Sequence, residues 1–334
     1  MQKILPKHEL KDFIELLMRK YEVIAPVKQE ITKFKVLKTK KDLDNLYLDE
    51  ITLAPFKEFL IPEKEELLNF KEGKLREVLN KPKKKTIVFG LRKCDLNAIL
   101  VLDKVMYDKN YKTKRKNMIL VGLHCENPDE YCFCNSMELE SEGIYDLFFY
   151  EDNGNYHISI GSNKGKVLVR GLKKSSKEVI KKIYNKKALS TKDIEEHYNN
   201  KIWKTDADKC LSCGACTAYC PTCNCFNIKD ILDVNLKDSK RIRETSSCQL
   251  HSFSNVAGGK KFRFSVLARF KHFVYHKIVY FKKQRGKYMC VGCGRCLRVC
   301  PPRIDWVNTI NLMNDLEKLK QQSRIKKQKE GGKE

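Results

Sequence analysis

Two cysteine runs in the last third of the 334-residue chain have types and spacing that could do chemistry. They are Cys210-Leu-Ser-Cys213-Gly-Ala-Cys216-Thr-Ala-Tyr-Cys220-Pro221 and Cys290-Val-Gly-Cys293-Gly-Arg-Cys296-Leu-Arg-Val-Cys300-Pro301. Each follows the C-x2-C-x2-C-x3-C-P pattern, in which three close thiolates grip one [4Fe–4S] cube and the fourth reaches a second cube. Two such runs predict two linked cubes. Cys210, Cys213, Cys216 and Cys300 are expected to hold one, and Cys290, Cys293, Cys296 and Cys220 the other. Gly214 and Gly294 let the backbone turn closely around inorganic sulfide, and each proline stops the chain from continuing as helix. The alternative is zinc, which also takes C-x2-C pairs but closes with four ligands and leaves the fourth Cys and the Pro without a role.

The elements that must position these runs are read from the rest of the chain. Its length suffices for two domains, each with its own core. Fifteen cysteines with ferredoxin-like spacing and no secretory signal point to a reducing compartment, so the protein is expected in the cytoplasm. No run of eighteen apolar residues occurs, so no membrane span is expected. The net charge of +25 raises the option of nucleic-acid binding, but lysines are spread through nearly every segment. One local asymmetry carries meaning: from Thr245 to Ile304 there is no Asp or Glu against thirteen Lys or Arg. A cube with four thiolates is anionic, so these cations are read as compensating the clusters, and the stretch could also serve as a docking face.

The expected architecture is α+β and multidomain. Residues 1–200 form an α/β domain with a mixed sheet, residues 201–315 a mainly helical two-cluster ferredoxin-like domain, and 316–334 a basic, disordered tail. Lys7 to Lys20 has helical periodicity and Tyr21 to Pro26 reads as a short strand. Glu50 to Pro62 reads as extended and Pro-bounded, and Glu63 to Phe70 as a short segment of weak pattern. Thr86 to Gly90 and Met118 to Leu123 read as buried strands flanking a helix from Asp95 to Tyr107, with Asp95 as its N-cap; this βαβ unit makes the two strands parallel. Asp146–Tyr150, a turn at Asn153-Gly154, Tyr156–Ile160 and Lys166–Val169 read as an antiparallel extension. Lys173 to Asn200 reads as a polar, mainly helical linker.

Four further cysteines follow the two parallel strands. Cys94 comes after the first, and Cys125, Cys132 and Cys134 after the second. Ligand sites in open α/β sheets gather beyond the carboxyl ends of such strands, so these thiols can converge, and four is the number one cube requires. A third [4Fe–4S] cluster is one reading; four ordinary buried thiols is the other. Their loop could instead line a flavin or partner site. Cys223, Cys225 and Cys248 remain unassigned. Roughly seventy residues separate the two runs, including the aromatic and basic stretch Phe262 to Phe281, read as core helix. His272 and His276 lie one turn apart without a third ligand at zinc-type spacing, which favours packing or cluster hydrogen bonding.

Taken together, the chain resembles the family formed by the iron-sulfur electron-transfer subunits of anaerobic sulfite reductases and the beta subunits of cytoplasmic sulfhydrogenases. The resemblance rests on Phe56 to Pro62, Phe89 to Asp95, Cys125 with Cys132 to Cys134, Cys210 to Phe226, and His276-Lys277 leading to Cys290 through Asp305. Lys93 stands where the family usually has Pro, and Asn224 where it usually has an aromatic. The resemblance implies an electron conduit that links a catalytic subunit to a flavin-bearing reductase subunit, with no substrate chemistry of its own. Sulfite reductase is the first expectation for the partner complex and a hydrogenase the second. An independent flavin and iron-sulfur oxidoreductase would need a phosphate-cradling run, and no G-x-G-x-x-G occurs. A basic nucleic-acid binder with structural metal is the remaining alternative.

Overall fold

The computed structural model describes residues 2–330 of the chain, with side chains described through residue 322. In chain order the strands are β1 (Gln2–Pro6), β2 (Glu22–Lys28), β3 (Thr32–Leu37), β4 (Lys64–Lys71), β5 (Lys74–Glu77) and β6 (Thr86–Leu91). They continue as β7 (Met118–Leu123), β8 (Leu147–Asp152), β9 (Asn155–Ile160), β10 (Phe226–Leu232) and β11 (Ser239–Thr245).

Seven strands form one mixed sheet in the order β1-β9-β8-β7-β6-β2-β3. β6 and β7 are fully buried and, after Thr86 at the start of β6, apolar throughout, as strands covered on both faces must be. They run parallel, with Thr86 opposite Met118 and Val88 opposite Leu120. Alternation divides their side chains between two cores. Ile87, Phe89 and Val121 pack with Leu10, Phe13, Ile14 and Leu17 of the helix Leu10–Met18. Val88 and Leu120 pack with Leu96, Ile99 and Leu102 of the helix Lys93–Asp103. The sheet is therefore the middle of three layers, and the carboxyl ends of β6 and β7 emerge at one edge.

The helix after β6 begins two residues earlier than the sequence pattern indicates. Arg92 occupies the N-cap and Asp95 the third helical position, where its carboxylate accepts from Arg92 N at 3.1 Å. Asp95 is thus half of a capping box rather than the cap itself. The expected strand at Lys166–Val169 is also replaced: Asn163–Leu168 is a helix, capped by Ser162, whose Oγ accepts from Gly165 N at 3.2 Å. Within Glu50 to Pro62, Pro55 leads into a 3-10 turn at Phe56–Phe59. β4 occupies the weakly patterned segment that follows.

Lys173 to Asn200 is irregular apart from a 3-10 turn at Glu196–Asn199, so the expected helical linker does not form. Tertiary partners take up its backbone groups instead. Val179 N donates to Gln2 Oε1 at 2.8 Å, Leu189 N to Ser136 Oγ at 3.0 Å and Ser190 N to Asn311 Oδ1 at 3.0 Å. These bonds hold the segment to both halves of the chain.

The spacer between the cysteine runs is not wholly helical. Its first part is the hairpin β10–β11, which joins β4 and β5 in a four-stranded antiparallel sheet of order β10-β11-β4-β5. That sheet draws strands from both sides of residue 200. Behind it, Arg243 of β11 meets Glu65 of β4 and, at 2.8 Å, Asp108, while Lys114 reaches Glu65 at 2.5 Å. Arg243 and Glu65 are almost fully buried, and each has its opposite charge in contact. The helix Val266–Tyr275 then packs with Trp203, Trp306, Val307 and Ile310 around the cysteine runs. The last helix, Trp306–Glu330, continues through much of the stretch expected as a tail; Gly331 and Gly332 lie outside the described residues. Among the described residues no helix is long and apolar enough to cross a membrane.

Candidate iron-sulfur centres

Each run begins with a tight loop that passes into a one-turn helix, Ala215–Ala218 in the first and Arg295–Arg298 in the second. Gly214 and Gly294 are the N-caps of these helices, both left-handed. Two residues earlier the runs differ: Ser212 is left-handed at φ 51° in the first, and Gly292 at φ 64° in the second. Ser212 fits because its hydroxyl accepts from Arg269 Nη2 at 3.1 Å. At Gly292 an added Cβ would lie 2.6 Å from the Cys134 backbone, and at Gly294 2.6 Å from the Tyr131 carbonyl. The second run is thus pressed against the loop that carries Cys132 and Cys134, and only glycine permits that approach.

The eight thiols of the two runs line two cavities. Cys210, Cys213, Cys216 and Cys300 line one cavity, together with Cys296, Phe270, Phe273 and Trp306. Cys220, Cys290, Cys293 and Cys296 line a second cavity, next to Phe133 and Lys277. The fourth thiol of each run has crossed to the other run's cavity. All fifteen cysteines are unpaired. Among the described residues no three Cys, His, Asp or Glu side chains come close enough to share a single metal ion.

The donors around the cavities fit anionic cubes. Ser212 N points to Cys210 Sγ, Gly292 N to Cys290 Sγ and Ile304 N to Cys300 Sγ, each at 3.4 Å. Trp306 Nε1 is buried without an oxygen or nitrogen acceptor and lies against Cys296. Such N–H groups stabilise thiolate and sulfide and help set a cluster's potential. Burial pushes the Cys290 thiol up to about 12, and its hydrogen bond with Cys223 together with burial pushes Cys220 to about 12 as well. Thiols held this far from ionising serve as ligands when a metal takes the place of the proton. The two centres differ in access: Cys213 is exposed, whereas Cys220, Cys290 and Cys293 are buried.

One functional residue was hidden in the spacer. Between the helices Val266–Tyr275 and Phe281–Arg285 the chain widens into a π turn, His276–Tyr280. Lys277 within it is 3% exposed, and its ammonium donates to Cys220 Sγ and Cys223 Sγ, both at 3.1 Å. Its carbonyl accepts from Met289 N at 2.8 Å and from Cys290 N at 3.3 Å, so the π turn ties the spacer directly to the second run. The available signals were a single lysine inside the stretch Phe273 to Phe281 and the place of His276-Lys277 in the family resemblance, neither of which assigned it a role. His272 and His276 stack on one another with ring centroids 5.3 Å apart, and burial holds both down at about 4. Cys225 lies against Cys223 and Cys248, so the three thiols left unassigned by spacing sit together beside the second cavity.

Arg295, inside the second run, is fully buried and lies 2.8 Å from Asp95 of the helix after β6. It also donates to the Thr52 carbonyl at 2.7 Å and to Thr52 Oγ1 at 3.1 Å. This pair locks the second run to the sheet edge where Cys94, Cys125, Cys132 and Cys134 stand. Those four thiols are all buried, and Cys94 and Cys132 lie against Cys293 of the second run.

Comparison with known proteins matches this geometry. A family described as a 4Fe-4S dicluster domain matches residues 209–304, the span that holds both runs and the spacer. Sulfhydrogenase 2 subunit beta from Pyrococcus furiosus is 33% identical over 326 residues, covering 90% of this chain and 94% of that protein. No solved structure matches the chain. With identity at that level along nearly the full length of both proteins, the chain belongs to the iron-sulfur electron-transfer subunit family that contains sulfhydrogenase 2 subunit beta.

Proposed function

We propose that the protein is a cytoplasmic electron-transfer subunit of a hydrogenase-type complex, with two [4Fe–4S] clusters held by the two cysteine runs. The single observation that carries this reading is the crossing of Cys220 and Cys300 between two thiol-lined cavities. Cys210, Cys213, Cys216 and Cys300 are the ligands of the outer centre, and Cys290, Cys293, Cys296 and Cys220 those of the inner one. When bound, such clusters accept and release single electrons. The chain's own residues set the terms: they exclude water from the inner centre, present N–H donors to the thiolates and place the Lys277 ammonium at Cys220. The exposed Cys213 puts the outer centre within reach of a redox partner at the surface.

The relative's name supports a hydrogenase as the catalytic partner ahead of a sulfite reductase, reversing the order drawn from the sequence. A flavin-bearing reductase subunit is proposed as the other partner. Protein purified without oxygen is expected to carry at least about eight irons per chain, with matching sulfide. Cys216→Ser should remove one cluster's EPR signal and leave the other. An iron-free protein that binds two zinc ions would overturn the reading. Copurification with a hydrogenase-type catalytic subunit supports the hydrogenase assignment, and copurification with a sulfite reductase overturns it.

A further inference from the structure

We infer that Cys94, Cys125, Cys132 and Cys134 hold a third [4Fe–4S] cluster, packed directly against the centre of the second run. This adds a site to the relay described above without altering the assignment of its two centres.

The fold brings the four thiols together from separate pieces of chain. Cys94 lies in the first turn of the helix after β6, and Cys125 follows β7 by two residues. Cys132 and Cys134 flank Phe133 on the loop beyond. Each is less than a tenth exposed. Cys132 has Cys125, Cys134 and Cys293 as electrostatic neighbours, and Cys94 has Cys134 and Cys293. Cys94 also packs with Cys293 and Val291, so the quartet and the second run are neighbours.

Its position is fixed by the second run. Phe133 N donates to the Gly292 carbonyl at 2.8 Å, and Cys132 Sγ points to the Cys293 carbonyl at 3.6 Å. The close approaches at Gly292 and Gly294 are made to this same loop, and the buried Arg295–Asp95 pair joins the run to the helix that carries Cys94. These separate contacts hold an irregular loop against a metal-binding run, which burying apolar thiols does not require.

One unused donor lies beside the quartet. Asn185 Oδ1 takes the Asn135 N–H at 2.8 Å and lies 3.3 Å from Cys134 Sγ, while its Nδ2 is buried with no hydrogen-bond partner among the described residues. An amide N–H in that position can serve a thiolate or inorganic sulfide. The Arg92 and Arg295 guanidiniums, beside Cys125 and Cys94, oppose the negative charge that four thiolates bring. A zinc ion would draw the sulfurs to about 2.3 Å from one point, whereas a cube gives each sulfur its own iron and keeps them apart.

The test is iron and sulfide per chain, with EPR of the reduced full-length protein purified without oxygen. The unaltered chain is expected to carry about twelve irons, and the Cys125→Ser, Cys134→Ser double variant about eight, with the signals of the two runs retained. The count on the unaltered chain decides the matter even if the double variant does not fold. About eight irons in the unaltered chain would overturn the third site and leave the relay standing. One zinc per chain lost with Cys125 and Cys134 would overturn it equally. No iron at all would overturn both this site and the relay.

Discussion

Lys277 is the residue on which the electrostatics of the inner centre turn. A buried ammonium needs a nearby anion, and Cys220 Sγ, 3.1 Å away, would supply it as a thiolate when it holds a cluster. The attraction would grow when a cluster held there gained an electron, so the lysine would favour its reduced state. Replacing it by Gln is expected to lower the midpoint potential of that centre by roughly 50–100 mV while the iron count stays the same. An EPR-monitored redox titration reads the shift, and an unchanged potential would show that the ammonium does not sense the cluster. At Gly292 the expected effect is on stability: Ala there adds left-handed strain of about 1–2 kcal/mol to a clash with the Cys134 backbone. Ser212→Ala, at the matching position of the first run, keeps a non-glycine left-handed residue and should cost only the hydrogen bond to Arg269, about 1 kcal/mol by the same denaturation assay. Equal effects at the two positions would refute the close approach.

The spacer helix and its π turn form the element that joins the two runs. His272 and His276 stack on it, and burial, aided by the neighbouring cations Arg263 and Lys277, holds both well below the ordinary imidazole value of 6.5. The unfolded chain takes up protons as the pH falls through 6.5, while the folded chain resists until about 4. Stability is therefore complete above the higher value and is lost as the pH drops toward the lower one. The wild type should lose more urea resistance between pH 7.5 and 5.5 than a His272→Phe, His276→Phe double variant. His124 and His157, whose burial shifts them the same way, are present in both proteins and do not disturb the difference. Equal losses would count against the pair.

Across the whole molecule, the two cysteine runs are not an appended ferredoxin. The hairpin β10–β11 completes a sheet begun by β4 and β5, the segment after residue 173 bonds to both halves, and Arg295–Asp95 closes the far side. The Arg243–Glu65 contact is the charged core of the first of these joints. Arg243→Met leaves Glu65 with Lys114 alone and is expected to cost about 3 kcal/mol. Far-UV circular dichroism during urea unfolding would show an earlier midpoint, and an unmoved midpoint would mean that strand pairing alone carries the joint. Because the runs share contacts with the sheet, loss of either joint should also accelerate cluster loss on exposure to air.

Local pattern alone determined the two cysteine runs and their spacing, the buried parallel strands at Thr86 and Met118 and the hairpin around Asn153-Gly154, since each depends on residue types within a short window. Tertiary structure decided the rest. Lys166–Val169 carries strand-like residues, but Ser162 caps a helix there. Lys173–Asn200 has helical composition, yet its backbone finds partners on Gln2, Ser136 and Asn311, residues far away in the chain. The burial of Lys277 against Cys220 and the docking of Gly292 on Cys134 were equally out of reach from sequence. Periodicity records what a segment can bury, whereas only folding specifies which distant thiol, amide or charge will meet it.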